Sequence, residues 1–81
     1  MKTINVTTKA HKQIAKMHKA DMKAIYEGIE TLKNWPDCRN VKNLTARDDY
    51  RLRVGDYRVF FEVGGDTITI TEVRRRDERT Y

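Results

Sequence analysis

From Asp49 onward the apolar residues stop recurring at helical spacing and begin to alternate, and this change of period constrains the chain most strongly. Tyr50, Leu52 and Val54 alternate with Arg51 and Arg53. Tyr57, Val59, Phe61 and Val63 alternate with Arg58, Phe60 and Glu62, and Thr67-Ile68-Thr69-Ile70-Thr71 continues the pattern. A period of two sends successive side chains to opposite faces, so each run predicts a half-buried strand. Gly55-Asp56 and Gly64-Gly65-Asp66 separate the runs with residues that tolerate positive φ, which predicts two tight hairpins.

The first half follows a different period. Ile4 and Val6 share one face of a short strand over residues 2–6. Thr7 or Thr8 then caps a helix, because a hydroxyl accepts an orphan amide at a helix start. That helix carries a narrow stripe of Ala10, Ile14, Ala15 and Met17 or His18, with Lys9, Lys12, Lys16 and Lys19 on its other side. Asp21 is expected to cap a second helix, on which Met22, Ile25, Ile29 and Leu32 repeat every three or four residues beside Tyr26. Asn34-Trp35-Pro36-Asp37 ends it, since proline cannot continue the hydrogen-bond ladder. Residues 37–47 form a polar connection anchored by Val41 and Leu44. The resulting order, β-α-α-β-β-β, predicts an α+β fold with a helix pair on one face of a mostly antiparallel sheet.

With 81 residues there is room for one domain, residues 1–81. No apolar run nears the roughly 18 residues of a membrane span, and the first residues lack a signal-peptide core. One cysteine, Cys38, and two histidines make a weak metal set. These features predict a cytoplasmic protein without cofactor, metal or membrane association. His11 and His18 are read as surface or half-buried residues on one helical face, and Trp35 as the seal of a helix end.

The charge is divided unevenly. All eight lysines precede Asn43 and all nine arginines follow Cys38. Residues 1–42 hold nine basic and four acidic side chains, whereas residues 43–81 hold eight of each, so the net +5 belongs to the helical half. Arginine presents a planar fork that suits phosphate, whereas lysine is a solvated point charge.

Turn geometry indicates where the arginines lie. A two-residue loop at Gly55-Asp56 sets Val54 opposite Tyr57, Leu52 opposite Val59 and Tyr50 opposite Phe61. The other face then pairs Arg53 with Arg58 and Arg51 with Phe60. A tip at Gly65-Asp66 sets Val63 opposite Ile68 and Phe61 opposite Ile70; a one-residue slip would expose both isoleucines. Extended without interruption, this register puts Val73 opposite Arg58 and Arg75 one pair further on. Arg51, Arg53, Arg58 and Arg75 are thus expected to converge around Phe60 on the face away from the helices. Opposed like charges cost stability, and forks around an aromatic suit RNA phosphates and bases.

The hairpin from Tyr50 to Val63, with its Asp56-Tyr57-Arg58 turn, and the tail Arg74-Arg75-Arg76 through Tyr81 resemble the RelE/ParE superfamily of bacterial toxins. The helix pair fits that family's order, so the resemblance spans almost the whole chain as a single RelE-like toxin domain. It implies a toxin of a toxin–antitoxin system. RelE-type members cut messenger RNA in the decoding site of the small ribosomal subunit without metal. ParE-type members inhibit DNA gyrase and lack the cleavage residues. The RelE pattern carries over to Arg51, Arg58, Arg75 and Tyr81 as catalytic residues, with Arg53, Phe60, Arg74 and Arg76 as RNA contacts. Asp49 stands where the family has another basic residue, which leaves the general base open between Tyr81 and Asp49. The resemblance further implies a cognate antitoxin as partner, and ribosome and messenger as targets. The remaining alternatives are gyrase inhibition or a non-catalytic binding module on the same fold.

Overall fold

The computed structural model describes residues 2–38, 41–43 and 49–75. Strand β1 (Thr3–Val6) leads to helix α1 (Thr8–Ala15) and helix α2 (Lys19–Thr31), which runs on as a short 3₁₀ turn over Leu32–Asn34. Strands β2 (Val41–Asn43), β3 (Asp49–Val54), β4 (Tyr57–Gly64) and β5 (Thr67–Arg75) follow. They form one five-stranded sheet in the order β1-β5-β4-β3-β2. The β2-β3-β4-β5 ladder is antiparallel, and β1 runs parallel to β5 with Thr3 opposite Thr67 and Val6 opposite Ile70. The α+β class and mostly antiparallel sheet agree with the expected fold.

Local chemistry explains the elements. Thr7 is the N-cap of α1, and its hydroxyl accepts from the Ala10 amide at 3.2 Å. The second cap differs from expectation. His18 occupies the N-cap of α2, with no side-chain cap bond, and Asp21 sits inside the first turn. There the carboxylate still suits the positive end of the helix dipole, and it accepts a bond from the Tyr57 hydroxyl at 3.1 Å. His18 therefore lies beyond α1 rather than sharing a helical face with His11. Val41, expected as an anchor in a connection, belongs to strand β2 opposite Leu52 and packs on the core. Leu44 lies outside the described residues. Gly55 and Gly65 adopt φ of 55° and 59° at the two hairpin tips, where a side chain would be strained.

The helices cover one sheet face. Ala10 and Ile14 of α1, with Ile25, Ile29 and Leu32, meet Leu52, Val59, Phe61, Ile68, Ile70 and Val73 in a continuous buried core. Trp35 stands edge-on to both Tyr50 and Phe61, with ring centroids 4.6 and 5.7 Å away, so it seals the helix end against the sheet. Gly28 permits the close approach of α2 to β3, since a Cβ there would lie 2.6 Å from Val54 Cγ2. Alanine at Gly28 gains about 1 kcal/mol of helix propensity. Overpacking costs about 1–3 kcal/mol. The expected result is a lower urea midpoint for Gly28→Ala, recovered when Val54→Ala opens the space.

Candidate nucleic-acid interface

The opposite sheet face carries the charge. The β3–β4 register matches the expected one at every pair, from Val54 opposite Tyr57 to Tyr50 opposite Phe61. Arg53 therefore faces Arg58, and Arg51 faces Phe60. Lys42 of β2 lies opposite Arg51 and extends this row toward the sheet edge.

The β4–β5 register matches only as far as Phe61 opposite Ile70. Beyond it the ladder shifts, and Phe60 pairs with Glu72, Val59 with Val73, Arg58 with Arg74 and Tyr57 with Arg75. Thr71 is the extra residue of a β-bulge. Its hydroxyl bonds the Phe60 carbonyl at 3.3 Å, satisfying a backbone group that the interrupted ladder leaves over. The physical reason is core composition. An uninterrupted strand would turn Glu72 and Arg74 toward the helices after Ile70. The bulge instead brings in Val73, which is 4% exposed.

Contrary to the expected register, Arg75 does not share the face of Arg58; it falls opposite Tyr57, on the helix side. There it lines a cleft of about 670 Å³ with Gln13, Met17, His18, Asp21 and Tyr57, and Glu72 and Arg74 border the same cleft from the β5 edge. Burial and the bond to Asp21 push the Tyr57 hydroxyl above its ordinary pKa, while the Arg75 charge pulls the other way. Arg74 takes the vacated position. Arg53, Arg58 and Arg74 form one row across three adjacent strands, and Arg51 and Phe60 form the next row. The signal was present in the sequence: Ile70 and Val73 are three residues apart, where strict alternation requires two or four.

The face is polarised along the strands. Asp49 lies opposite Glu62 at the end remote from the arginine row. A depression of about 240 Å³ runs beside Phe60, bordered by Asp49, Glu62, Thr71 and Glu72. Arginines at cross-strand spacing repel by about 1 kcal/mol even in water. Glu72 offsets part of this through an ion pair with Arg74, and it also meets Lys9 of α1 at 3.6 Å. The Arg74 bond, together with the two positive charges, holds the Glu72 carboxyl below its usual pKa despite partial burial. A depressed folded-state value gives stability that is present above the usual carboxylate range and lost as pH falls through the folded value. The expected outcome is that wild type exceeds Glu72→Gln in thermal stability at pH 7 and that the gap closes below about pH 4.

The remaining candidates are dispersed. His11 is exposed, its Nδ1 3.4 Å from the Tyr26 hydroxyl. Cys38 directs its thiol to the Thr31 carbonyl, and burial, with the Asp37 charge, raises its pKa. Tyr81 and Arg76 lie outside the described residues. Among the described residues no helix is long and apolar enough to cross a membrane.

The model of the family described as the ParE toxin of the type II toxin–antitoxin system parDE matches residues 4–80. The chain belongs to the ParE toxin family. It is a toxin of a type II toxin–antitoxin system with the RelE/ParE fold. A chain of the archaeal RelE–RelB complex from Pyrococcus horikoshii OT3 superposes with a TM-score of 0.84 at 26% identity, covering 96% of this chain and 98% of that one. The isolated E. coli RelE toxin gives 0.82 at 13% identity, with 99% and 89% covered. A chain of the chromosomal ParDE system from P. aeruginosa gives 0.77 at 16% identity, with 93% and 96% covered. The last two show likeness of fold alone. No curated protein sequence matches this ParE-family toxin. Structural relatives are solved in complex with antitoxins, RelB among them.

Proposed function

We infer that this toxin is a ribosome-dependent endoribonuclease that cuts messenger RNA in the decoding site and so stops translation. The observation that carries the reading is the arginine row, with Arg58 at its centre and Phe60 beside it. A scissile phosphate resting on Arg58 has positive charge on three strands around it, and a neighbouring base can stack on Phe60.

The reaction would use the RNA's own 2′-hydroxyl. Its oxygen bonds to the adjacent phosphorus, the bond to the 5′-oxygen breaks, and the products are a cyclic phosphate and a 5′-hydroxyl. A base takes the 2′-proton and an acid returns a proton to the leaving oxygen. Arg58 and Arg51 stabilise the pentacoordinate phosphorane. Arg74, which faces Arg58, takes the position near the leaving group that the family resemblance gave to Arg75. Arginine stays protonated to above about pH 12 and is a poor base. That role falls to Tyr81 or Asp49, and the weakness of either base fits an enzyme whose substrate is aligned by the ribosome. Arg53 and Arg76 add phosphate contacts, and the lysines of α1 and α2 add salt-dependent affinity for RNA. The cognate antitoxin is the expected cytoplasmic partner.

A second reading, inhibition of DNA gyrase, is favoured by the matched family model. The two part in a cell-free translation reaction containing the purified toxin. Cleavage within codons only when ribosomes are present supports the first. Intact messenger together with inhibited gyrase supercoiling replaces it with the second.

A further inference from the structure

Among the described residues, strand β5 has a neighbouring strand on its outer side only along Thr67–Ile70, where β1 pairs with it. Beyond Ile70 that edge faces α1, whose side chains stand in for a strand. The Thr7 hydroxyl donates to the Thr71 carbonyl at 3.3 Å. The Val73 amide donates to Gln13 Oε1 at 2.6 Å, a part-buried bond across 60 residues of sequence. Both contacts fall at the bulge, one on Thr71 itself and one two residues later.

The bulge has an alternative. An uninterrupted ladder would set Val73 opposite Arg58 and bring Arg75, not Arg74, to the outer face. The two registers differ by one residue of β5, and each presents a different arginine beside Arg58. Val73 is where they diverge, because its side chain is in the core in one and outside in the other.

We propose that Gln13 is a positioning residue that locks the bulged register of β5 and so selects Arg74 over Arg75 as the partner of Arg58. The choice of arginine as a catalytic partner rests on the endoribonuclease reading; the lock itself does not. Gln13 acts through the Val73 backbone. A carbonyl or carboxylate oxygen at its reach preserves the lock, and an apolar side chain of similar length removes it.

The test uses the full chain. Gln13→Leu and Gln13→Glu are compared with wild type by amide hydrogen exchange and by cross-strand nuclear Overhauser contacts between Val59 and Val73. Arg74→Ala and Arg75→Ala are then made in each background and assayed for messenger cleavage on programmed ribosomes. In wild type and Gln13→Glu, Arg74→Ala is expected to lower cleavage about 100-fold and Arg75→Ala less than about 3-fold. In Gln13→Leu the Val73 amide loses protection at least tenfold, the Val59–Val73 contacts weaken, and the preference for Arg74 shrinks. A merely structural role would lower stability without changing which arginine matters. If Gln13→Leu does not fold, Gln13→Asn gives the same comparison with an amide one methylene too short. Unchanged protection and contacts in the acceptor-deficient variant overturn the proposal. If wild type cleaves no messenger, the endoribonuclease reading fails, and exchange and contacts alone still decide the lock.

Discussion

Arg58→Ala is expected to lower ribosome-dependent cleavage about 100- to 1,000-fold, the loss that follows removal of one preorganised group from a developing charge. Arg58 sits between Arg53 and Arg74 in the cross-strand row, the central position that the proposed mechanism gives to the scissile phosphate. Arg58→Lys should recover only part of the loss, because an ammonium restores charge without the planar fork. The fold should not suffer. Deleting the central cation relieves repulsion from Arg53. The melting temperature should therefore hold or rise. Single-turnover cleavage beside a thermal melt checks both halves, and a large loss of stability would assign Arg58 to the fold instead of the chemistry.

The second large effect concerns stability. Phe61 is 1% exposed, stacks on Tyr50 at a centroid distance of 5.6 Å and meets the edge of Trp35. Truncation to alanine leaves a cavity that rings held by two strands and a helix end cannot collapse to fill. Such substitutions cost about 3–5 kcal/mol. A domain of 81 residues has roughly 4–12 kcal/mol in total. The melting temperature should fall by about 15–30 °C. Phe61→Leu should cost less than half as much, and differential scanning calorimetry of both variants measures it.

The hairpins were legible because glycine positions and a period of two leave few alternatives. Every β3–β4 pair from Val54–Tyr57 to Tyr50–Phe61 follows from the Gly55-Asp56 turn and burial of the apolar set. The Thr7 cap was legible for the same local reason. The failures are tertiary. Asp21 has the right chemistry for a cap, but the chain enters α2 earlier, at His18, and the carboxylate serves Tyr57 instead. Strand β2 is three residues long, too short for periodicity to reveal. The bulge is hidden because the alternation of Thr67–Thr71 predicts an uninterrupted strand, whereas burial of Val73 requires a break. That one residue decides which of two adjacent arginines lies opposite Arg58. Gln13 was invisible, since nothing local distinguishes a polar helix residue from one that completes a distant strand.

The pairing of the first strand with the last sets the order in which the molecule can assemble. Thr3–Val6 have no partner strand until Thr67–Ile70 have been made, and the paired residues lie 64 positions apart in sequence. Contacts so distant in sequence form late, after the loop-closure entropy has been met. The β3–β4 hairpin can form early and already carries Arg51, Arg53 and Arg58. The row still lacks Arg74 until β5 docks between β4 and β1. The surface proposed to act on ribosome-bound messenger is thus begun by an early hairpin and completed only by the last strand.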